Sequence, residues 1–395
     1  MTIRVLHIFS PYLRRRFGGM TPNWRYYFNQ WHDVSVEHYV LDTENQQIAN
    51  AVDAFNFKLI KNQKLISRWE RIVWAISLHV NLKKYQEEYD FLHFHVLWWG
   101  GLLMALWSNL KHIPSLYESV LLDSDTPGSI QQQRFGKIKL WLLKKFKGIL
   151  AISESLALDY KLHGFGNGVV HTLKCSIDTE LFRPPKNKEE KQLLRQKYNF
   201  PQDKTILTFV GSLIHRKGID LLINAFIEAY KENPDLYLLL VGPSKQNENP
   251  TIDETLINKL VTNAKNHGAV DQIKKMGLIQ SRQKLAEIYR ASDMFVFPSR
   301  QEGLGIVVLE AMCTSLPVIV SQLPVLENVI KIDENGIIVP LENKEELKNA
   351  IHILSTDLTL KNKLGKQAHQ TIIKNHDFAH WQTNLVAIYQ KLSAE

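Results

Sequence analysis

Met294-Phe295-Val296-Phe297-Pro298-Ser299-Arg300-Gln301-Glu302-Gly303-Leu304-Gly305-Ile306-Val307-Val308-Leu309-Glu310-Ala311-Met312 is the most informative stretch of this chain. The apolar run Met294–Phe297 reads as a buried strand, a glycine-bearing loop follows, and a helical pattern opens near Leu304. Strand, short loop and helix in that order make the repeating unit of a wound parallel sheet. Gly303 and Gly305 allow a ligand to approach the backbone closely. The first turn of the helix offers unpaired amides and a positive dipole end, which favours phosphate. Glu302 projects from the loop. Glu310 lies about two turns along the helix among apolar residues, where a carboxylate needs hydroxyl-type partners.

Working outward, the same rhythm runs through the whole chain. Strands are expected at Arg4–Phe9, Val34–Leu41, Phe91–Val96, Pro114–Tyr117, Gly148–Ile152 and Val169–Leu173. A second series follows at Thr205–Val210, Leu236–Val241, Met294–Phe297, Pro317–Val320 and Gly336–Val339, with helical patterns between. Alternation of this kind implies two α/β domains with parallel sheets buried on both faces. The charged, proline-bearing stretch from Arg183 to Lys191 reads as the linker between them. Ligands of open α/β sheets bind beyond the carboxyl ends of the strands, so a cleft between the two domains is the expected site.

Three further loops follow strands. Gly211-Ser212-Leu213-Ile214-His215-Arg216-Lys217-Gly218 ends a strand and precedes a helix, and the Arg216-Lys217 pair suits a diphosphate. Gly18-Gly19 follows the first strand behind Arg14-Arg15-Arg16, and can close over a phosphate or act only as a hinge. In His93-Phe94-His95 one histidine is expected to face the cleft and the other to pack inside. Two patterns are set aside. Asp123-Ser124-Asp125 looks like a metal-binding triplet but lies in a polar turn of the half that lacks phosphate signals. Gly164-Phe165-Gly166-Asn167-Gly168 follows a helix and precedes a strand, the wrong order for a nucleotide loop.

The composition fits this picture. The chain has 395 residues, 45% of them hydrophobic and 22% charged, so it can bury substantial cores and is not a disordered chain. Two cysteines, Cys175 and Cys313, exclude a disulfide-stapled scaffold and a cysteine-rich metal site. A net charge of +8 suits anionic ligands or a membrane surface and does not call for nucleic acid. The N-terminal apolar run is too short for a signal peptide. Phe91–Leu110 carries no formal charge over twenty residues, yet it reads as strand, glycine turn and helix rather than a membrane span.

Together these segments resemble glycosyltransferase family 4, the retaining nucleotide-sugar transferases of the GT-B fold. The marks are Glu302 and Glu310 with seven residues between them, the Glu302-Gly303-Leu304-Gly305 loop and Arg216-Lys217-Gly218. Gly18-Gly19, Ala151-Ile152-Ser153-Glu154-Ser155 and Ile177-Asp178 ahead of Phe182-Arg183-Pro184 support it. The resemblance implies two Rossmann-like doubly wound domains facing a central cleft. Residues 1–183 would form the acceptor-side domain, joined by a C-terminal helix at 376–395, and residues 184–375 the nucleotide-sugar domain. It implies that Arg216 and Lys217 hold the donor diphosphate, Glu310 the ribose and Glu302 the donor sugar. His95 would bind a sugar hydroxyl near the reacting carbon, and Gly19 would lend an amide to the distal phosphate. The implied donor is a UDP- or GDP-linked hexose, with no cofactor and no metal. Two departures stand out: Cys175 where many members carry Asn, and Ser212 where some place an arginine. A nucleotide-sugar 2-epimerase of the same architecture is the alternative.

The acceptor side is basic and aromatic in two places, Lys58–Tyr85 and Arg134–Lys147. The second holds six basic and no acidic residues, with Phe135, Ile138, Trp141, Leu142 and Phe146 at roughly helical spacing. Such a helix can lie on an anionic membrane. The expected partners are therefore a nucleotide sugar, a glycan or lipid-linked acceptor and an anionic membrane surface. The expected location is cytoplasmic, peripheral at the inner face of the membrane.

Overall fold

The strands form where β-rich apolar runs were expected, and they assemble into two sheets. The computed structural model describes residues 2–9, 21–42, 47–50, 76, 78–95, 97–120 and 126–394. The chain divides into two compact units, residues 1–176 with 378–395, and residues 177–377.

The first unit contains β1 (Ile3–Ile8), β2 (Val36–Asp42), β3 (Gln47–Asn50), β4 (Phe91–Phe94), β5 (Ser115–Ser119), β6 (Gly148–Ala151) and β7 (Val170–Thr172). Their order is β3-β2-β1-β4-β5-β6-β7, parallel except for the β2–β3 edge pair. Leu6, Phe91, Leu92, Phe94, Leu116 and Ile149 are wholly buried, as strands covered on both faces require. The last helix, Phe378–Ala394, returns to this unit and packs Trp381 against Tyr27, with ring centres 4.0 Å apart.

The second unit contains β8 (Thr205–Val210), β9 (Leu236–Val241), β10 (Ile273–Gly277), β11 (Met294–Phe297), β12 (Val318–Ser321) and β13 (Ile337–Val339). Their order is β10-β9-β8-β11-β12-β13, all parallel. In both units the winding reverses beside the first strand, so the switch points lie between β1 and β4 and between β8 and β11. The loops leaving those strands are where such sheets bind ligands.

Several expectations need correction. The change of unit falls after Ser176, not at 183. Ile177 donates to the His376 carbonyl at 3.0 Å, and the buried Phe182 packs on Tyr289, which ties residues 177–183 to the second unit. The charged stretch after it is no free linker either. It runs into the helix Lys188–Lys197, and Lys191 and Arg195 both pair with Asp293, at 2.6 and 2.5 Å. Asp293 also accepts the Ile206 amide at the start of β8, so charges that read as solvated hold the helix to the sheet. Gly100-Gly101 is not a turn, because the helix Trp99–Leu110 already includes both. Among the described residues no helix is long and apolar enough to cross a membrane.

Candidate active site

The loops at the second switch point are built from β8 and β11. After β8 the chain passes through a short 3-10 turn, His215–Lys217, and reaches Gly218 with φ 72°. A Cβ at that position would stand 1.9 Å from the Pro298 carbonyl oxygen. Only glycine permits so close an approach to the β11 loop. The Arg300 amide donates to the Arg216 carbonyl at 2.9 Å, and Ser299 Oγ lies 3.3 Å from the same oxygen.

This junction places Lys217 beside Glu302. The Lys217 ammonium donates to Glu302 Oε1, which also accepts Ser299 Oγ at 2.7 Å. Lys217 lies 5.1 Å from the centre of the Phe297 ring. Burial lowers the Lys217 pKa from its ordinary value, and the Glu302 charge opposes that shift. Arg216 is exposed and donates to the Gln301 carbonyl at 2.8 Å.

Gly305, with φ 71°, precedes the helix Ile306–Cys313, so the helix begins two residues later than expected and Gly303 and Leu304 are buried loop residues. Glu310 is accordingly little more than one turn into the helix, not two. It is 3% exposed, and its neighbours are distant: Tyr289 Oη at 3.4 Å and Arg282 Nη1 at 3.5 Å. Burial pushes its carboxyl up to about 7, partly opposed by Arg282. A buried carboxylate with such loose partners has spare acceptor capacity for hydroxyl groups.

Residues that the sequence reading passed over hold this site. Arg300 bridges Asp220 (2.7 and 2.9 Å), Glu342 and the His215 carbonyl, and so pins the β8 loop to the β11 loop. Arg282 stands over the Phe182 ring, 5.0 Å from its centre, beside Glu310. Their partners lie far away along the chain, and no local pattern marks them.

The first switch point differs. Gly18, Gly19 and Asp123-Ser124-Asp125 lie outside the described residues, as does Lys58–Tyr85 except at 76 and 78–85. His95 follows β4 directly and is 7% exposed. Its Nδ1 bonds Glu118 and its Nε2 lies 2.8 Å from His7 Nδ1, so both ring nitrogens are engaged and a sugar would have to displace one. His93 and His95 do not divide between cleft and core. Two residues apart, they share a face, and both are buried with ring centres 4.2 Å apart. His7, His93 and His95 each bring one ligand nitrogen within 4.8 Å of the others.

With the geometry in place, likenesses to known proteins can be set against it. Residues 190–371 match the family Glycosyl transferases group 1. That stretch is similar to a group 1 glycosyltransferase domain. The alpha-maltose-1-phosphate synthase of Mycolicibacterium smegmatis is 24% identical to this chain over 332 residues, 81% of this chain and 83% of that one. The mannosylfructose-phosphate synthase of Agrobacterium fabrum is 30% identical over 186 residues, 47% of this chain and 39% of that one. The crystal structure of Anabaena HepE, in complex with UDP and glucose, superposes with a TM-score of 0.75 over 99% of this chain and all of that one. Its sequence identity is 15%, so that likeness is one of fold, the GT-B fold of two Rossmann-like domains.

Proposed function

We propose that this glycosyltransferase moves a hexose-type unit from a nucleotide-diphosphate sugar to an acceptor hydroxyl, with retention of anomeric configuration. The observation that carries the reading is the Lys217–Glu302–Ser299 network at the β8/β11 switch point, with the under-satisfied Glu310 one helical turn further on. Breaking the bond from the anomeric carbon to the diphosphate leaves negative charge on the leaving group. Lys217, Arg216 and the amides opening the helix Ile306–Cys313 provide a preorganised positive field for that charge. No metal or other cofactor is needed for this step. When donor binds, Lys217 turns from Glu302 toward phosphate, which frees the Glu302 carboxylate for sugar hydroxyls. Glu310 accepts hydrogen bonds from the ribose. The acceptor attacks on the face the leaving group vacates, and the departing phosphate takes its proton.

The donor is UDP- or GDP-linked. HepE crystallised with UDP and glucose favours the first, by analogy of fold alone. The relatives named as synthases of phosphorylated sugars favour transfer, and none of those named above is an epimerase.

A lipid-linked acceptor at an anionic membrane is supported by one surface of the first unit. Phe135, Ile138 and Trp141 on the helix Gly136–Leu143 and its cap are about half exposed. Trp99 and Leu103, from the helix packed beside it, are exposed too, and Trp99 stands 6.2 Å from Phe135. Lys139 lies over Trp99, Lys145 over Trp141 and Arg134 over Phe135, at 4.8–5.4 Å. Aromatic rings edged by cations suit a headgroup layer. Such an acceptor belongs to polysaccharide, glycolipid or other glycoconjugate synthesis at the inner face of the cytoplasmic membrane.

The test is a panel of nucleotide sugars with and without lipid-linked and soluble acceptors, read by NMR of the anomeric proton. An α-donor giving an α-product with acceptor, and only slow hydrolysis without it, supports the reading. Epimerised donor in the absence of acceptor overturns it.

A further inference from the structure

Sheet register gathers the histidines of the first unit. His7 on β1 lies opposite His93 on β4, and His95 follows two residues on. His38 comes from β2, on the other side of β1. All four are buried, and Phe9, Trp24 and Phe28 pack around His7. The ring centres of His93 and His95 lie 5.2 and 5.1 Å from that of His7.

Each of the three rings spends one of its nitrogens on a partner outside the group. His7 Nε2 lies 2.7 Å from His38 Nδ1, and His93 Nδ1 lies 2.7 Å from Tyr389 Oη. His95 Nδ1 bonds Glu118, which also accepts Trp24 Nε1 at 2.9 Å. The nitrogens left over are His7 Nδ1, His93 Nε2 and His95 Nε2. The first and last share a hydrogen bond of 2.8 Å, while His93 Nε2 is buried with no partner among the described residues. An orphaned buried nitrogen costs stability unless something bonds it.

We propose that His7, His93 and His95 form a binding site for one divalent transition-metal ion of the zinc or cobalt type. Three imidazoles suit that class, and with no oxygen ligand among the three residues, magnesium and calcium are poor fits. The outer partners, a histidine, a phenol and a carboxylate, do what the surroundings of metal-ligating histidines do elsewhere, fixing ring orientation and tautomer. Burial holds all three imidazoles well below the ordinary histidine range, so they stay neutral, as ligands must be.

The protons balance. With Glu118 ionised, His95 carries its proton on Nδ1, so His7 must donate from Nδ1 to His95 Nε2, and His38 from Nδ1 to His7 Nε2. Metal binding asks His7 and His38 each to move that proton to Nε2, and none leaves the protein. Zinc–nitrogen bonds of about 2.0–2.1 Å set tetrahedral ligands roughly 3.3 Å apart. The His7–His95 pair therefore opens by about half an ångström, and a fourth position is left for water. His95 Nε2 serves one partner at a time, so a bound metal and a sugar hydroxyl compete for it.

The test uses the untagged full chain, stripped with chelator and titrated with Co2+. One equivalent should bind at sub-micromolar concentration, with the visible absorption of a tetrahedral site and quenching of tryptophan fluorescence through the adjacent Trp24. Added Zn2+ should bleach that absorption. His93→Phe and His7→Phe, with folding confirmed by circular dichroism, should each weaken binding at least 100-fold. Glu118→Gln should weaken it about 10- to 100-fold and keep the visible band, which gives a readout even if a histidine variant does not fold. No stoichiometric uptake by the wild type, or a cobalt spectrum unchanged in His93→Phe, overturns the proposal and leaves a hydrogen-bonded histidine chain ending at Glu118.

Discussion

The two switch points share a topology and treat charge in opposite ways. Between β8 and β11 the loops keep ions: Arg216 is exposed, Lys217 and Glu302 neutralise each other, and Arg300 ties the loops through two carboxylates. Between β1 and β4 aromatic rings pack against the histidines, and burial depresses their pKa values. Strand order alone therefore says where a ligand can bind and not what chemistry is available there. Access of water decides that, because a charge is kept only where it is solvated or paired.

The largest effect should come from breaking the ionic side. Lys217→Ala and Glu302→Ala are each expected to lower turnover by about 100-fold or more, since the proposed mechanism sets both against charge that develops in the transition state. Steady-state rates on variants with unchanged circular dichroism check this.

The buried side should show itself in acid. His38 titrates at about 3 in the folded state, against about 6.5 when unfolded, because burial disfavours its charged form. Between those values the unfolded chain holds a proton that the native state lacks, so stability falls as pH falls. From His38 alone the loss is about 1.4 kcal/mol per pH unit, and the other histidines add to it. All nine tryptophans belong to the first unit, so urea unfolding followed by their fluorescence, in chelator, isolates it. His38→Phe should flatten the slope between pH 6.5 and 5.

Gly218→Ala should cost the second unit about 1–3 kcal/mol, through a positive φ and a clash with the Pro298 carbonyl. Circular dichroism melts should show it while tryptophan fluorescence stays unmoved. Smaller still, Glu310→Gln should raise the donor KM about tenfold with kcat little changed, as expected for a contact equal in ground and transition states. The proposed ribose contact needs the ionised carboxylate, which burial pushes up to about 7. Wild-type KM should therefore rise as pH drops below 7, and that of the variant should not. Last, replacing Lys144, Lys145 and Lys147 with Gln should release the protein from anionic vesicles without changing donor hydrolysis. Equal partitioning of the two proteins would mean a soluble acceptor.

Eleven strands were legible because each is a short run with apolar or β-branched side chains. The two that were missed show why the rest were not. Ile273-Lys274-Lys275-Met276-Gly277 forms the edge strand β10, with no residue fully buried, so it carries no apolar run. Gln47-Ile48-Ala49-Asn50 is an antiparallel edge whose pattern is equally weak. Glu302, Arg216 and Lys217 stood out because a loop between strand and helix needs glycine and tolerates charge, and Glu310 because a carboxylate among apolar helix residues needs partners.

Local sequence encodes the alternation of strands and helices, the two series of strands and the loops rich in glycine and charge. These follow from side-chain periodicity and turn chemistry, which act over a few residues. Which charges pair and which groups lose water depends on the assembled fold. Lys217 and Glu302 are 85 residues apart, His7 and His95 are 88, and His93 meets Tyr389 across 296. Such meetings depend on strand order and register, which no local pattern encodes, and they decide whether a titratable side chain stays charged.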